Sequence, residues 1–314
     1  MTASKLEYQK VAVVGASGFV GVYLTNLLFK DGFLVSPMVR KVVSASSSPL
    51  VIEIGDVLSR KNYDGIFEGI TTIVYTIART HQTNEENADF EHIYKEINCD
   101  AMIRLAEASR AQGVKRFIFL SSLKALGEET SRDEPLRYNS TPQPEGPYGR
   151  SKLIAENMLL ELGRSTGLEV VIIRPPLIHG QGVKGNLDTL LRMIKLGLPL
   201  PFSRMSVNRR SLVSLENLCA LIKECVINPA AKNQVFMVKD QENLSTVGII
   251  RLLSKSSGVT PVLFPVPRFV LRWSFILIGK RGMLQRLLGD LTIDDEYTRS
   301  TLNWRPVCRS EKSQ

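Results

Sequence analysis

Two residues in the run Pro147-Tyr148-Gly149-Arg150-Ser151-Lys152 have the types and spacing for proton transfer. Tyr148 and Lys152 stand i, i+4 at the start of a segment, Tyr148 to Leu162, whose apolar spacing predicts a helix, so both side chains lie on one face. A phenol titrates near pH ~10, too high to exchange protons readily at neutrality. A neighbouring ammonium favours the phenolate and lowers that value. Tyr148 could then give a proton to a ketone oxygen or take one from an alcohol. Taken alone, this spacing is common by chance and usually marks a surface pair. Its weight comes from a second motif.

That motif is Gly15-Ala16-Ser17-Gly18-Phe19-Val20-Gly21, between the β-branched run Val11 to Val14 and the helical spacing of Val20 to Lys30. Glycines at this spacing let the backbone turn tightly and approach a pyrophosphate, whose charge then sits on the helix N-terminus. Gly15, Ser17, Gly18, Phe19, Val20 and Gly21 are therefore candidate dinucleotide-binding residues. NAD binders usually place an acid at the end of the second strand, whereas an Arg there accommodates a 2′-phosphate. Here that position is Val39, followed by Arg40 and Lys41, which favours NADP, with NAD as the alternative. Contact of Arg40 with solvent or with the adenine face is the alternative. With a nicotinamide bound, its positive oxidised ring would also favour the Tyr148 phenolate.

The elements that must position these residues alternate. Leu34 to Val39, Val51 to Ile54, Thr72 to Ile77, Phe117 to Leu120 and Glu169 to Ile173 read as strands. Glu91 to Ala111 reads as a helix that buries Ile93, Ile97, Met102, Leu105 and Ala108. Strand–helix alternation predicts an α/β fold, a Rossmann-like doubly wound parallel sheet. After Arg174 the rhythm degrades and Gly and Pro cluster over 175–201. A smaller, discontinuous C-terminal lobe is expected, with 1–174 and 211–238 forming the dinucleotide domain and 175–210 and 239–314 the substrate lobe. Ser44 to Ser48 reads as a loop.

Composition removes several other readings. The 314 residues carry a net charge of +9, but the basic residues are spread and no polybasic arm appears, which argues against nucleic acid. Cys99, Cys219, Cys225 and Cys308 lack metal-ligand or paired spacing, so reduced thiols in a cytoplasmic protein are expected and no metal. The first ten residues have no apolar core of a secretory signal. Val262 to Gly279 is apolar but interrupted by Pro265, Pro267, Arg268 and Arg272, short of the roughly 18–20 residues of a membrane span. Phe269, Arg272, Trp273, Phe275 and Ile276 fit an amphipathic helix packed on the protein or a neighbour, with weak membrane-surface association as the alternative. His81, His92 and His179 form no catalytic or metal-like arrangement and read as structural or surface residues. Asp294, Asp295 and Glu296 read as the acidic opening of a last helix.

Over nearly its whole length the chain resembles the extended short-chain dehydrogenases/reductases, in the NAD-dependent epimerase/dehydratase family of nucleotide-sugar epimerases, dehydratases and ketoreductases. The resemblance rests on Gly15/Gly18/Gly21, Gly55-Asp56-Val57, Asn98, Leu120-Ser121-Ser122, Tyr148/Lys152, Arg174-Pro175-Pro176 and Leu302-Asn303-Trp304-Arg305-Pro306. It implies that Asp56 and Val57 meet the adenine. It implies Ser122, or Ser121 one register away, beside Tyr148 as the hydroxyl orienting the substrate oxygen. It implies Asn98 as the holder of a water linked to Lys152, and Pro175, Leu177 and Ile178 against the nicotinamide carboxamide. Ile77 and Ala78 stand where many relatives carry His-Leu-Ala-Ala, so a bulky Ile77 is a departure near the cofactor.

Within that family, Ser121 to Glu128, Gly182 to Asn186 and Asn208 to Leu212 resemble bacterial enzymes that reduce UDP-2-acetamido-2,6-dideoxy-4-hexulose to UDP-N-acetylquinovosamine for O-antigen and other surface polysaccharides. UDP-glucose 4-epimerases are similar, somewhat less closely. Asn186 opens an apolar helical run whose free N–H groups could meet phosphate. Arg210, or Arg209, is a candidate diphosphate ligand, and Lys124 a candidate sugar or phosphate contact. An NADPH-dependent 4-ketoreductase is the first expectation and an NAD-dependent 4-epimerase the alternative. A non-catalytic dinucleotide sensor is the third, disfavoured because such proteins commonly lack the Tyr/Lys pair. The resemblance also implies a homodimer formed through the Tyr148 helix.

Overall fold

The structure is a computed structural model that describes residues 9–42, 51–79, 91–277 and 289–307. Ser44 to Ser48, His81, Cys308 and Gly279 lie outside the described residues. Seven strands form the main sheet: β1 (Lys10–Val14), β2 (Leu34–Val39), β3 (Ile52–Glu53), β4 (Thr72–Tyr75), β5 (Arg116–Leu120), β6 (Glu169–Arg174) and β9 (Gln234–Met237). Their order is β3-β2-β1-β4-β5-β6-β9, and each neighbouring pair is parallel. The central strands are apolar on both faces, as helices covering both sides require. The α/β doubly wound sheet is thus the one expected.

Each face has its own core. On one side α1 (Phe19–Lys30) and α6 (Leu215–Ile227) pack together over Val11, Val13 and Val74. On the other, α3 (Ala101–Ala111) and α4 (Pro147–Thr166) cover Ala12, Val14, Ile73 and Phe117. α2 (Glu91–Lys95) leads into α3 through a π turn at Glu96–Asp100. The helix expected over Glu91 to Ala111 is thus present with a π turn inside it, and Met102 and Leu105 are buried as expected. The wider turn rotates the buried face onto Tyr94, Asn98 and Cys99, leaving Ile93, Ile97 and Ala108 half-buried.

A second sheet has the order β10-β8-β7, formed by β7 (Leu177–His179), β8 (Arg210–Ser214) and β10 (Asn243–Leu244). Around it α5 (Asn186–Lys195) and α7 (Thr246–Ser257) enclose a small core of Val183, Leu187, Ile194, Leu212 and Ile250. α8 (Arg268–Leu277) buries Leu271 in this core, whereas Phe269 and Trp273, expected to pack on the protein or on a neighbour, are exposed. α9 (Glu296–Leu302) closes the described chain, and Asp294 Oδ1 accepts from the Glu296 amide at its start. Among the described residues no helix is long and apolar enough to cross a membrane.

His92 is exposed, but His179 is buried and its Nε2 lies 2.7 Å from Asp240 Oδ2. The other Asp240 oxygen accepts from the Ser214 amide and Asn217 Nδ2, joining β7, β8 and α6. Burial alone would raise the Asp240 carboxyl, but hydrogen bonds from His179, Asn217 and Ser214 outweigh it and hold it below its usual range. A lowered folded-state pKa contributes stability above the unfolded value, near pH ~4, that is lost as pH falls through the folded one. Asp240→Ala should cost on the order of 1–3 kcal/mol by leaving buried donors unpaired, and should flatten the acid limb of a urea-midpoint-against-pH curve.

Candidate active site

α4, the helix that carries Tyr148 and Lys152, starts at Pro147, in the N1 position that tolerates a missing N–H, after Gly146 as N-cap. A Cβ at Gly149 would sit 2.4 Å from Lys124 O, so only glycine lets α4 lie this close to the 3₁₀ turn at Leu123–Ala125. That approach brings Ser122 near Tyr148, where its hydroxyl acts to lower the phenol's pKa. Ser122 is extended, so its neighbour Ser121 points the other way, where its Oγ donates to Glu156 Oε1 at 2.5 Å. Of the two serines, Ser122 is the one at the phenol.

Lys152 is fully buried. Its Nζ donates to Leu120 O at 2.9 Å and lies 4.4 Å from the centroid of the Phe119 ring. The expected lowering of the phenol by this ammonium is not what the structure shows. Burial pushes Tyr148 up to about 12, opposed by the Ser122 hydrogen bond and reinforced by Tyr94, whose ring stands edge-on 6.2 Å away. Burial likewise lowers Lys152 to about 7, opposed by the negative charge of Glu156. With its pKa lowered to about 7, Lys152 is neutral where a phenol at about 12 ionises, and its Nζ is bonded to the Leu120 carbonyl.

Under this pair lies an ion pair with no sequence-level expectation. Arg174 Nη2 reaches Glu156 Oε2 at 2.6 Å, with both side chains buried, while Arg174 Nη1 donates to Tyr138 O at 3.0 Å. The available signal was an acid one turn beyond Lys152 on the buried face of α4, opposite an Arg ending β6. Asn98 sits in the π turn with its amide engaged: Oδ1 accepts from the Arg79 amide and Nδ2 donates to Ser151 Oγ at 3.0 Å. Its side chain thus meets the neighbour of Lys152.

At the other motif, Gly15 has φ +90° and α1 presses onto the turn, where a Cβ on Gly21 would lie 2.1 Å from Gly15 O. Gly18 is the N-cap, with no acid in the first turn of α1 and no side-chain cap. The helix end is therefore suited to an anion.

Residues 11–238 match the NAD dependent epimerase/dehydratase family. The chain belongs to that family. It is 36% identical over 299 residues to a UDP-glucose 4-epimerase of Vibrio cholerae, covering 95% of this chain and 91% of that one. Among solved structures, MoeE5 in complex with UDP-glucuronic acid and NAD aligns with a TM-score of 0.75 at 21% identity, covering 95% and 94% of the two chains. RMD from Pseudomonas aeruginosa complexed with NADPH aligns at 0.72 and 17% identity, covering 96% and 94%.

The other residues of this epimerase/dehydratase chain fall into two groups. Around the glycine turn, Ile77 packs its Cγ1 against the space where Gly15 lacks a side chain, with Ala78 beside it half-buried. Phe19 reaches between the main core and the lobe core, and Val20 is buried. Arg40 and Lys41 are exposed after β2. An acid does approach there in space, since Glu53 Oε2 of β3 accepts from the Val42 amide at 2.9 Å. Asp56 is exposed and Val57 buried. Pro175 O accepts from the Leu123 amide, tying the end of β6 to the Ser122 turn, and Leu177 is exposed.

In the lobe, Asn186 starts α5 without a side-chain cap, and Arg210 Nη1 donates to Gly289 O at 3.1 Å. Arg209 is exposed, and Lys124 Nζ pairs with Glu128 Oε1 at 2.7 Å. Among the described residues no cluster could hold a metal. Glu156→Ala would leave the buried Arg174 guanidinium uncompensated, with an expected loss of about 3–5 kcal/mol in urea unfolding.

Proposed function

We propose that this chain interconverts the C4 hydroxyl and C4 ketone of a UDP-hexose with a nicotinamide dinucleotide, as a UDP-sugar 4-epimerase. The observation that carries the reading is the Ser122–Tyr148 hydroxyl pair at the head of α4, on the same helix as buried Lys152. The 36% identity to the Vibrio cholerae UDP-glucose 4-epimerase supports the epimerase ahead of the ketoreductase that the sequence segments favoured.

The residues present fit the dinucleotide, because the turn closes only with glycines and presents an uncapped helix end. Gly15, Ser17, Gly18, Phe19, Val20 and Gly21 would hold its diphosphate, Asp56 and Val57 its adenine, and Ile77, Ala78, Pro175 and Leu177 its nicotinamide side. Bound there, the nicotinamide supplies and accepts hydride at the sugar carbon. Tyr148 accepts the C4 hydroxyl proton on oxidation and returns it on reduction, while Ser122 donates a hydrogen bond to the C4 oxygen. A phenol raised to about 12 is an acid poised for the reductive direction, and Lys152 must be charged to ease the oxidative one. Asn186 and Arg210 of the lobe, with Lys124 from the turn after β5, are the proposed contacts to the UDP-sugar.

Arg40 and Lys41, with no acid in β2, favour a second reading: NADPH-dependent reduction of a UDP-linked 4-keto-6-deoxyhexosamine. Product chromatography with mass spectrometry separates the two. Interconversion of UDP-glucose and UDP-galactose with no net absorbance change at about 340 nm is expected of the epimerase. Stoichiometric NADPH consumption with the 4-keto sugar would establish the reductase instead. Turnover by neither route would leave a dinucleotide sensor.

Tyr148→Phe should lower turnover by roughly 10²–10⁴-fold while dinucleotide binding persists. Lys152 is charged below about pH 7 in the free protein and neutral above it. If its charge is required, kcat/KM for sugar oxidation should fall as pH rises through about 7, and Glu156→Gln should move that limb to lower pH.

A further inference from the structure

The lobe carries an apolar surface that the proposed reaction does not use. On α8, Phe269 is 66% exposed, Trp273 62% and Leu277 81%, with Val270 also exposed. At ~100° per residue these four fall within one arc of about a quarter-turn, while buried Leu271 lies on the opposite side. The preceding segment extends the surface: Val262 and Phe264 are exposed, and their backbones bond across to Leu200. Among the described side chains of this helix, Leu271 is the buried one, whereas Phe269 and Trp273 face outward.

The charge around it has one sign. Between Glu242 and Asp290 the sequence has no acidic residue and seven basic ones: Arg251, Lys255, Arg268, Arg272, Lys280, Arg281 and Arg286. Of these, Arg251 and Lys255 stand on α7, and Arg272 is exposed on α8. The rest of the chain mixes both signs, so the acid-free stretch coincides with the outward aromatic face. Exposed Trp and Phe on a short helix within an acid-free, basic stretch of sequence fit a helix lying in the plane of a bilayer interface, aromatic rings at headgroup depth and cations on anionic lipid.

We propose that the α8 face docks this enzyme onto an anionic lipid surface. The helix is ten residues long and lies parallel to the surface rather than crossing it. The proposal is independent of which sugar is handled. A second copy of the chain is the competing occupant of the same face, and the homodimer contact expected from the sequence lies elsewhere, on α4.

The test is co-sedimentation of the full chain with vesicles of phosphatidylglycerol and phosphatidylethanolamine, against vesicles of phosphatidylcholine alone. Binding to the anionic vesicles, release by raised salt and a blue shift of tryptophan emission are expected. Phe269→Ser with Trp273→Ser should weaken binding by roughly tenfold or more with an unchanged thermal melt. Arg272→Glu should weaken binding to the anionic vesicles alone, which keeps the test valid if the double variant fails to fold. Absence of binding by the wild type overturns the proposal, as does binding that neither variant weakens. Sedimentation velocity showing a wild-type dimer that the double variant dissociates, without lipid binding, assigns the face to a second copy and also overturns it.

Discussion

A fully buried lysine is costly unless its ammonium finds partners, and the arrangement around Lys152 follows from that cost. The Leu120 carbonyl accepts a hydrogen bond from it, the Phe119 ring offers its negative face, and Glu156 supplies a countercharge one turn along α4. Glu156 is in turn held by Arg174 and Ser121. The ends of β5 and β6 and the buried face of α4 are thus joined through polar side chains rather than apolar packing alone. Because each partner is itself satisfied, the position of α4 is defined closely enough to present Tyr148 to Ser122.

Much of the architecture was legible in the residues. Runs such as Phe117 to Leu120 are apolar on both faces, a pattern that a parallel sheet covered by helices accounts for directly. The glycine turn was legible because Gly15, Gly18 and Gly21 each meet a backbone constraint that few residues satisfy. Less local features were not. The π turn at Glu96–Asp100 has no compositional marker, and it moved the buried face of that helix by one position. The His179–Asp240 contact spans 61 residues, and the sequence offered no reason to pair them.

The site was legible to the level of residue type but not of direction. Tyr148 and Lys152 share a helix face as the spacing requires, yet the ammonium is drawn to Leu120 rather than to the phenol. The choice between Ser121 and Ser122 depended on strand alternation, which the sequence could not phase by one residue. At the end of β2, one-dimensional reading found only Arg40 and Lys41, whereas the fold brings Glu53 of the next strand to the same loop. Lobe residues were harder still, since Lys124 and Arg210 each spend part of their hydrogen-bonding capacity on the protein itself.

The contact of Gly149 with the Lys124 carbonyl bears on how such a site can change over time. Position 149 has no side chain to contribute to chemistry, yet any replacement would separate the helix from the turn that carries Ser122. Within the five residues from Tyr148 to Lys152, position 149 is therefore restricted to glycine. Drift in cofactor or sugar preference has to be accommodated elsewhere, at the strand ends and in the lobe. A chain built this way has room to change at its periphery and little at the contact of α4 with the Ser122 turn.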